Sequence, residues 1–178
     1  ASAKIYDFIW DTYCDWYIEL TKTRLNGEDE GAKLAAENVL CYVLLRILEL
    51  LHPFMPFITE EIWQALPHEG DYLIRAKWPE YHSAFDFRAE EQAMEAVKDA
   101  ISAVRARRAE MNVPPSKKAQ MIIVSDHAED YRLGEHFIKR MAYASELTVT
   151  DASPADLTGL VTVVTHGANV YLPLAELV

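Results

Sequence analysis

The chain has 178 residues, 51% of them hydrophobic and 11% aromatic, with 17 Lys and Arg against 28 Asp and Glu and a formal charge of −11. That composition supports one generous domain or two small ones and excludes a disordered segment. An acidic chain is not a general coat for nucleic acid, so any such contact must be local.

The residues from Ala1 to Asp7 lack the apolar stretch of a secretion signal, and no apolar run reaches the roughly 20 residues needed to cross a bilayer. Cys14 and Cys41 therefore read as reduced core thiols of a cytoplasmic protein. From Lys4 to about Arg24 no Gly or Pro intervenes, and Lys4, Asp7, Asp11, Asp15, Glu19 and Lys22 recur at steps of three and four. This is the solvated stripe of a helix, with Ile5, Ile9, Trp16 and Leu20 opposite and Tyr6, Trp10, Tyr13 and Tyr17 forming a third stripe. Asn26-Gly27 predicts a left-handed cap. From about Ala32 to Leu51 only Asn38, Tyr42, Arg46 and Glu49 break an apolar run, which predicts a central, mostly buried helix. The prolines of His52-Pro53-Phe54-Met55-Pro56-Phe57 end it, and Thr59 with Glu60 and Glu61 predicts the cap of a third helix to about Leu66. A long connection over 67–87 follows.

The second half changes character near residue 88. Residues 88–111 predict a helix with Met94, Val97, Ile101 and Val104 inward, stopped by Pro114-Pro115. Met121–Val124 reads as a strand and 129–143 as a helix with Phe137, Ile138 and Met141 inward. Leu147–Thr150 reads as a β segment, and 160–165 with 170–174 as a hairpin. The fold class is mainly α: a helical bundle over 1–87 followed by a small α+β subdomain over 88–178.

No catalytic pattern stands out. The six glycines make no phosphate-cradling loop, and the histidines form no HxxxH or HExxH pair. Two cation-bearing features rise above the background. Tyr13 and Tyr17 lead to Lys22 and Arg24, and aromatic faces beside cations can stack unpaired bases, although the same stripe also suits a bundle core. From 101 to 118, Arg105, Arg107, Arg108, Lys117 and Lys118 face Glu110 alone, an electropositive island suited to phosphate or simply to a helix C-terminus.

Three segments carry a family resemblance. Tyr6-Asp7-Phe8-Ile9-Trp10 with Cys14-Asp15-Trp16-Tyr17-Ile18-Glu19 is similar to the anticodon-binding helices of the valyl class I aminoacyl-tRNA synthetases. Leu51-His52-Pro53-Phe54-Met55-Pro56-Phe57-Ile58-Thr59-Glu60-Glu61-Ile62-Trp63 resembles a motif shared by valyl, isoleucyl, leucyl and methionyl members. Arg105-Ala106-Arg107-Arg108-Ala109-Glu110-Met111-Asn112-Val113-Pro114-Pro115-Ser116-Lys117-Lys118 again resembles the valyl form. The resemblance implies the anticodon-binding part of an enzyme that joins valine to its tRNA using ATP and Mg. It implies partners in valine tRNA and in the catalytic and editing domains of the same parent, with no membrane and no DNA. The HIGH and KMSKS signatures of such an enzyme do not occur here, so no catalytic residue and no cofactor is assigned to this chain. The chain also begins inside a helix, which by resemblance lies after the first helices of the bundle. The implied RNA-binding residues are Tyr13, Tyr17, Lys22, Arg24, Arg105, Arg108, Lys117 and Lys118. The alternative is a helical module of an isoleucyl or other class I synthetase that supports its neighbours and touches no RNA.

Overall fold

The computed structural model describes residues 2–178 and divides into two compact units, one ending at Ser83 and one spanning Ala84–Val178. The chain is mainly helical with one small mixed sheet.

In the first unit, α1 (Ser2–Asp7), a π-helical stretch (Phe8–Ile18) and α2 (Glu19–Leu25) follow one another without a break. The π stretch bonds i to i+5, so its turns are wider than the 3.6-residue turns that the sequence pattern implies. The aromatic stripe consequently splits. Tyr6, Phe8 and Trp10 are exposed, whereas Tyr13 is buried and Tyr17 half-buried. The expected left-handed cap does not form. Asn26 sits at φ −99°, ψ 3°, and among the described residues the glycines at positive φ are Gly70 and Gly159, not Gly27. The helix instead closes through Asn26 N–H to Lys22 O at 3.0 Å and Gly27 N–H to Arg24 O at 3.2 Å.

α3 (Glu30–Leu51) starts at Asp29, whose Oδ1 accepts from Gly31 N–H (2.9 Å) and Ala32 N–H (3.0 Å). The side-chain cap satisfies two of the four orphan donors at the helix start. α3 is not buried throughout. Ile47, Leu48 and Glu49 near its C-terminal end are buried, but Leu34, Val39 and Tyr42 are exposed. The pattern announces an apolar helix correctly but not how many neighbours cover it: α1 and α2 pack along it and α4 (Pro56–Gln64) meets its far end. Thr59 is likewise not a cap. α4 begins at Pro56, and Thr59 lies inside it, its hydroxyl donating to Met55 O at 2.8 Å and lying 2.8 Å from His52 Nδ1. Leu48, Trp63 and Leu73 form a small core flanked by Leu44, Leu45, Leu66 and Ala76. Glu60 anchors the following loop by accepting from Leu73 N–H at 2.9 Å. The cysteines are free thiols, half-buried rather than in the core.

In the second unit, α5 (Arg88–Glu110) buries Val97, Ile101 and Val104 as its spacing predicts, with Ala100 beside them, while Met94 is only half-buried. β1 (Ala119–Val124) runs through two short helices, α6 (Ala128–Leu133) and α7 (Glu135–Met141), into the parallel strand β2 (Ala144–Thr150). The hairpin of β3 (Leu160–Val164) and β4 (Asn169–Pro173) adds antiparallel to β1, giving the order β2-β1-β4-β3, and α8 (Leu174–Leu177) follows. The helix expected over 129–143 is broken at Gly134. A Cβ there would lie 2.4 Å from Val97 Cγ2, so only glycine lets this turn approach α5.

Candidate RNA interface

The first cluster of site residues lies on the helix formed by α1, the π stretch and α2. Tyr13 is 7% exposed and donates its hydroxyl to Leu40 O on α3 at 2.9 Å. Burial, with Cys14, Cys41 and Tyr17 nearby, pushes its phenol up to about 12. Tyr13 thus ties this helix to α3 and has no face left for a base. Tyr17 stacks on Tyr13 with ring centroids 6.4 Å apart, and burial raises its phenol, opposed by the charge of Arg24. Lys22 reaches solvent but pairs with Glu19 one turn earlier. Arg24 is exposed and makes no ion pair or side-chain hydrogen bond among the described residues. The structure therefore brings Tyr17 and Arg24 together, leaves Lys22 in a solvated pair that a phosphate could displace at little cost, and takes Tyr13 out of reach.

The rings that remain available are others. Tyr6 is 61% exposed, Trp10 51%, and their centroids lie 6.2 Å apart. On α3, Tyr42 is exposed with the Arg46 guanidinium 5.3 Å from its ring centroid. Residue spacing puts Tyr6 and Trp10 in the aromatic stripe but does not single them out. The signal that would find them is the absence of a covering partner, which a single helix pattern does not carry. The same spacing makes Tyr42 only the polar edge of a buried helix.

The second cluster dissolves into separate roles. Arg108 is 3% exposed and donates to Pro114 O at 3.1 Å and to Lys117 O, with its guanidinium 5.3 Å from the Tyr143 ring centroid. Burial pulls its pKa below the ordinary arginine value, partly offset by Tyr143. Arg108 folds the Pro114-Pro115 turn against the end of α5 and is not placed to meet a phosphate. The turn is closed further by Asn112 at φ 55° and by Val113 N–H to Arg108 O at 2.9 Å, the cap geometry that follows many helices. Lys117 donates to Val178 O, and Arg107 pairs with Glu110 at 2.9 Å. Arg105 and Lys118 stay exposed without an ion pair among the described residues. Five cations close in sequence thus present two free charges.

No described helix is long and apolar enough to cross a membrane, and among the described residues no group of three or more His, Cys, Asp or Glu could hold a metal ion.

Comparison with known proteins gives the setting of these surfaces. The chain is 45% identical to the valine–tRNA ligase of Clostridium acetobutylicum over 181 aligned residues, covering 100% of this chain and 20% of that protein. It is 43% identical to the ligase of Staphylococcus carnosus over 98% of its length, and 42% identical to that of Oceanobacillus iheyensis over 100%. The chain spans about a fifth of the length of these curated relatives. The model of the anticodon-binding domain of tRNA ligase matches residues 1–123, more than two thirds of the sequence, and the chain belongs to that family.

Proposed function

We propose that this chain is the anticodon-binding part of a valine–tRNA ligase and acts by docking tRNA for an enzyme that joins valine to it at the expense of ATP. The observation that carries the reading is the match of the anticodon-binding family over residues 1–123 together with similarity to valine ligases along the whole chain. In this reading residues 1–87 are the bundle that meets the anticodon arm, and residues 88–178 are an α+β part that meets neighbouring segments of the parent. ATP and Mg belong to the catalytic domain of that parent, since this sequence has no phosphate-cradling loop. The setting is the cytoplasm.

The RNA surface in this reading runs over Arg24, Lys22 and Tyr17 and continues along the exposed rings of Tyr6 and Trp10. Cations set the register on the phosphates, and exposed rings stack on unpaired loop bases. Tyr13 and Arg108 support this surface and the turn after α5, respectively, without touching RNA. The acidic balance makes binding depend on these few cations, so affinity should weaken with salt in proportion to the phosphates they meet. The test is filter binding of a valine tRNA transcript and of the same transcript with a changed anticodon, over a series of salt concentrations. Preference for the valine anticodon with a slope of about −1.4 to −1.8 in log affinity against log salt, that of two phosphate contacts, supports the reading. Equal or absent binding of both would favour the helical module that touches no RNA.

A further inference from the structure

A cleft in the first unit lies apart from the helix surface just described. Its two lobes share Glu49, Ala76 and Lys77. One lobe, of about 340 Å³, is walled by Pro53, Pro56, Leu73, Ile74 and Trp78. The other, of about 760 Å³, carries Arg46, Arg75 and Lys77 with Glu49 and Glu69. Both volumes fall in the range of small-ligand sites. The unit up to Ser83 has seven Lys and Arg against fourteen Asp and Glu. Three of the seven cations line this cleft, but only two of the fourteen acids do. One cation and one acid are paired with each other: Arg46 meets Glu49 Oε1 at 2.6 Å, and burial raises that carboxyl above its ordinary value against the pull of Arg46, which leaves Arg75 and Lys77 against Glu69. Trp78 is 60% exposed, and Tyr72 and Tyr81 on the same loop are 59% and 78% exposed. The loop is not slack, because Gln64 Nε2 donates to Asp71 O at 2.6 Å and Glu60 accepts from Leu73 N–H.

We infer that this cleft holds one nucleotide of a single-stranded RNA segment, its base stacked on Trp78 in the apolar lobe and its phosphate met by Arg75 and Lys77. A nucleotide is a two-part ligand, a flat apolar ring joined to an anion, and the two lobes divide in the same way. A polypeptide would use the apolar lobe but has no need of the cations at its mouth. The stacking is sequence-tolerant, since every base offers a π face. The inference rests on the reading of the chain as an RNA-binding module, but it assigns a site that the helix surface does not include.

The test uses the 178-residue chain and a fluorescein-labelled single-stranded RNA hexamer of mixed sequence, followed by anisotropy. Trp78→Ala should weaken binding about 5- to 150-fold, the loss of one stacked base. Trp78→Phe should restore most of it. Arg75→Ala with Lys77→Ala should flatten the salt slope by about 0.7, the change for one phosphate on a single strand. Circular dichroism checks that these exposed positions leave the fold intact. In the wild type the indole N–H resonance of Trp78, assigned by its loss in Trp78→Phe, should move on titration with the hexamer. Unchanged affinity in Trp78→Ala, or no binding of the hexamer with a stationary Trp78 resonance, overturns the inference and leaves the cleft as a seat for polypeptide. Binding of tRNA lost in Lys22→Ala with Arg24→Ala, while the hexamer still binds, separates failure of the helix surface from failure of the cleft.

Discussion

Arg108 gives the most discriminating substitution. It lies in a run of three arginines, and the structure assigns it a role opposite to that of Arg105 one turn earlier. Its guanidinium is 3% exposed and serves two carbonyls, Pro114 O at 3.1 Å and Lys117 O, while stacking on Tyr143. Tyr143 is itself held at φ 59°, a conformation that a bulky residue keeps only when its surroundings enforce it. Hydrogen bonds from a charged donor contribute about 1.5–3 kcal/mol each, and the released desolvation of the cation offsets part of that. Arg108→Ala should therefore cost about 2–4 kcal/mol net, with the two carbonyls left short of a donor. In urea that is a midpoint lower by about 1–2 M, at the slope usual for a chain of this size. Arg105→Ala, on the exposed face, should stay within roughly 0.5 kcal/mol. The assay is a pair of urea titrations followed by circular dichroism. A midpoint for Arg108→Ala within error of wild type would refute the structural role and make the residue a candidate phosphate ligand again.

Other expectations are quickly checked. Replacing Lys22 and Arg24 together by Ala should weaken tRNA binding, flatten the salt slope by about one unit for each phosphate no longer met and leave the melting curve in place. Ile47→Ala, at 4% exposed, should cost about 2–4 kcal/mol by denaturant titration, and half-buried Leu44→Ala less. Gly134→Ala should lower stability by about 1–3 kcal/mol in a thermal melt, because the new methyl collides with Val97. Tyr13 has its phenol raised from 10.0 to about 12 by folding, so the unfolded chain loses that proton first. The stability this contributes is complete below pH 10 and falls as pH rises towards 12. Tyr13→Phe should make the alkaline loss of stability over pH 10–12 shallower, read from urea midpoints at each pH.

The residues that sequence patterns place well are those whose burial follows from their own element. Val97, Ile101 and Val104 recur at helical spacing and are buried together, and Met121–Val124 and the 160–174 hairpin are strands because alternation and turn residues agree. What sequence patterns miss depends on partners. Nothing in Leu34, Val39 and Tyr42 says that their side of α3 goes uncovered. The i+5 bonding of Phe8–Ile18 redirects the aromatic stripe without any change in residue type. Gly134 breaks a helix because Val97, thirty-seven positions away in sequence, stands where its Cβ would go. The RNA-facing candidates divide on the same principle. Tyr13 and Arg108 have the right chemistry for RNA, but a carbonyl on another segment claims each of them. Arg24, Arg105 and Lys118 remain available because no described side chain pairs with them.

The central claim is that this chain meets the anticodon arm of tRNA, and hydroxyl-radical footprinting of a valine tRNA transcript tests it most directly. Bound chain should protect the backbone of the anticodon loop and its stem, and Lys22→Ala with Arg24→Ala should erase part of that protection. Protection confined to the acceptor end, or none at protein concentrations that saturate the hexamer, would contradict it.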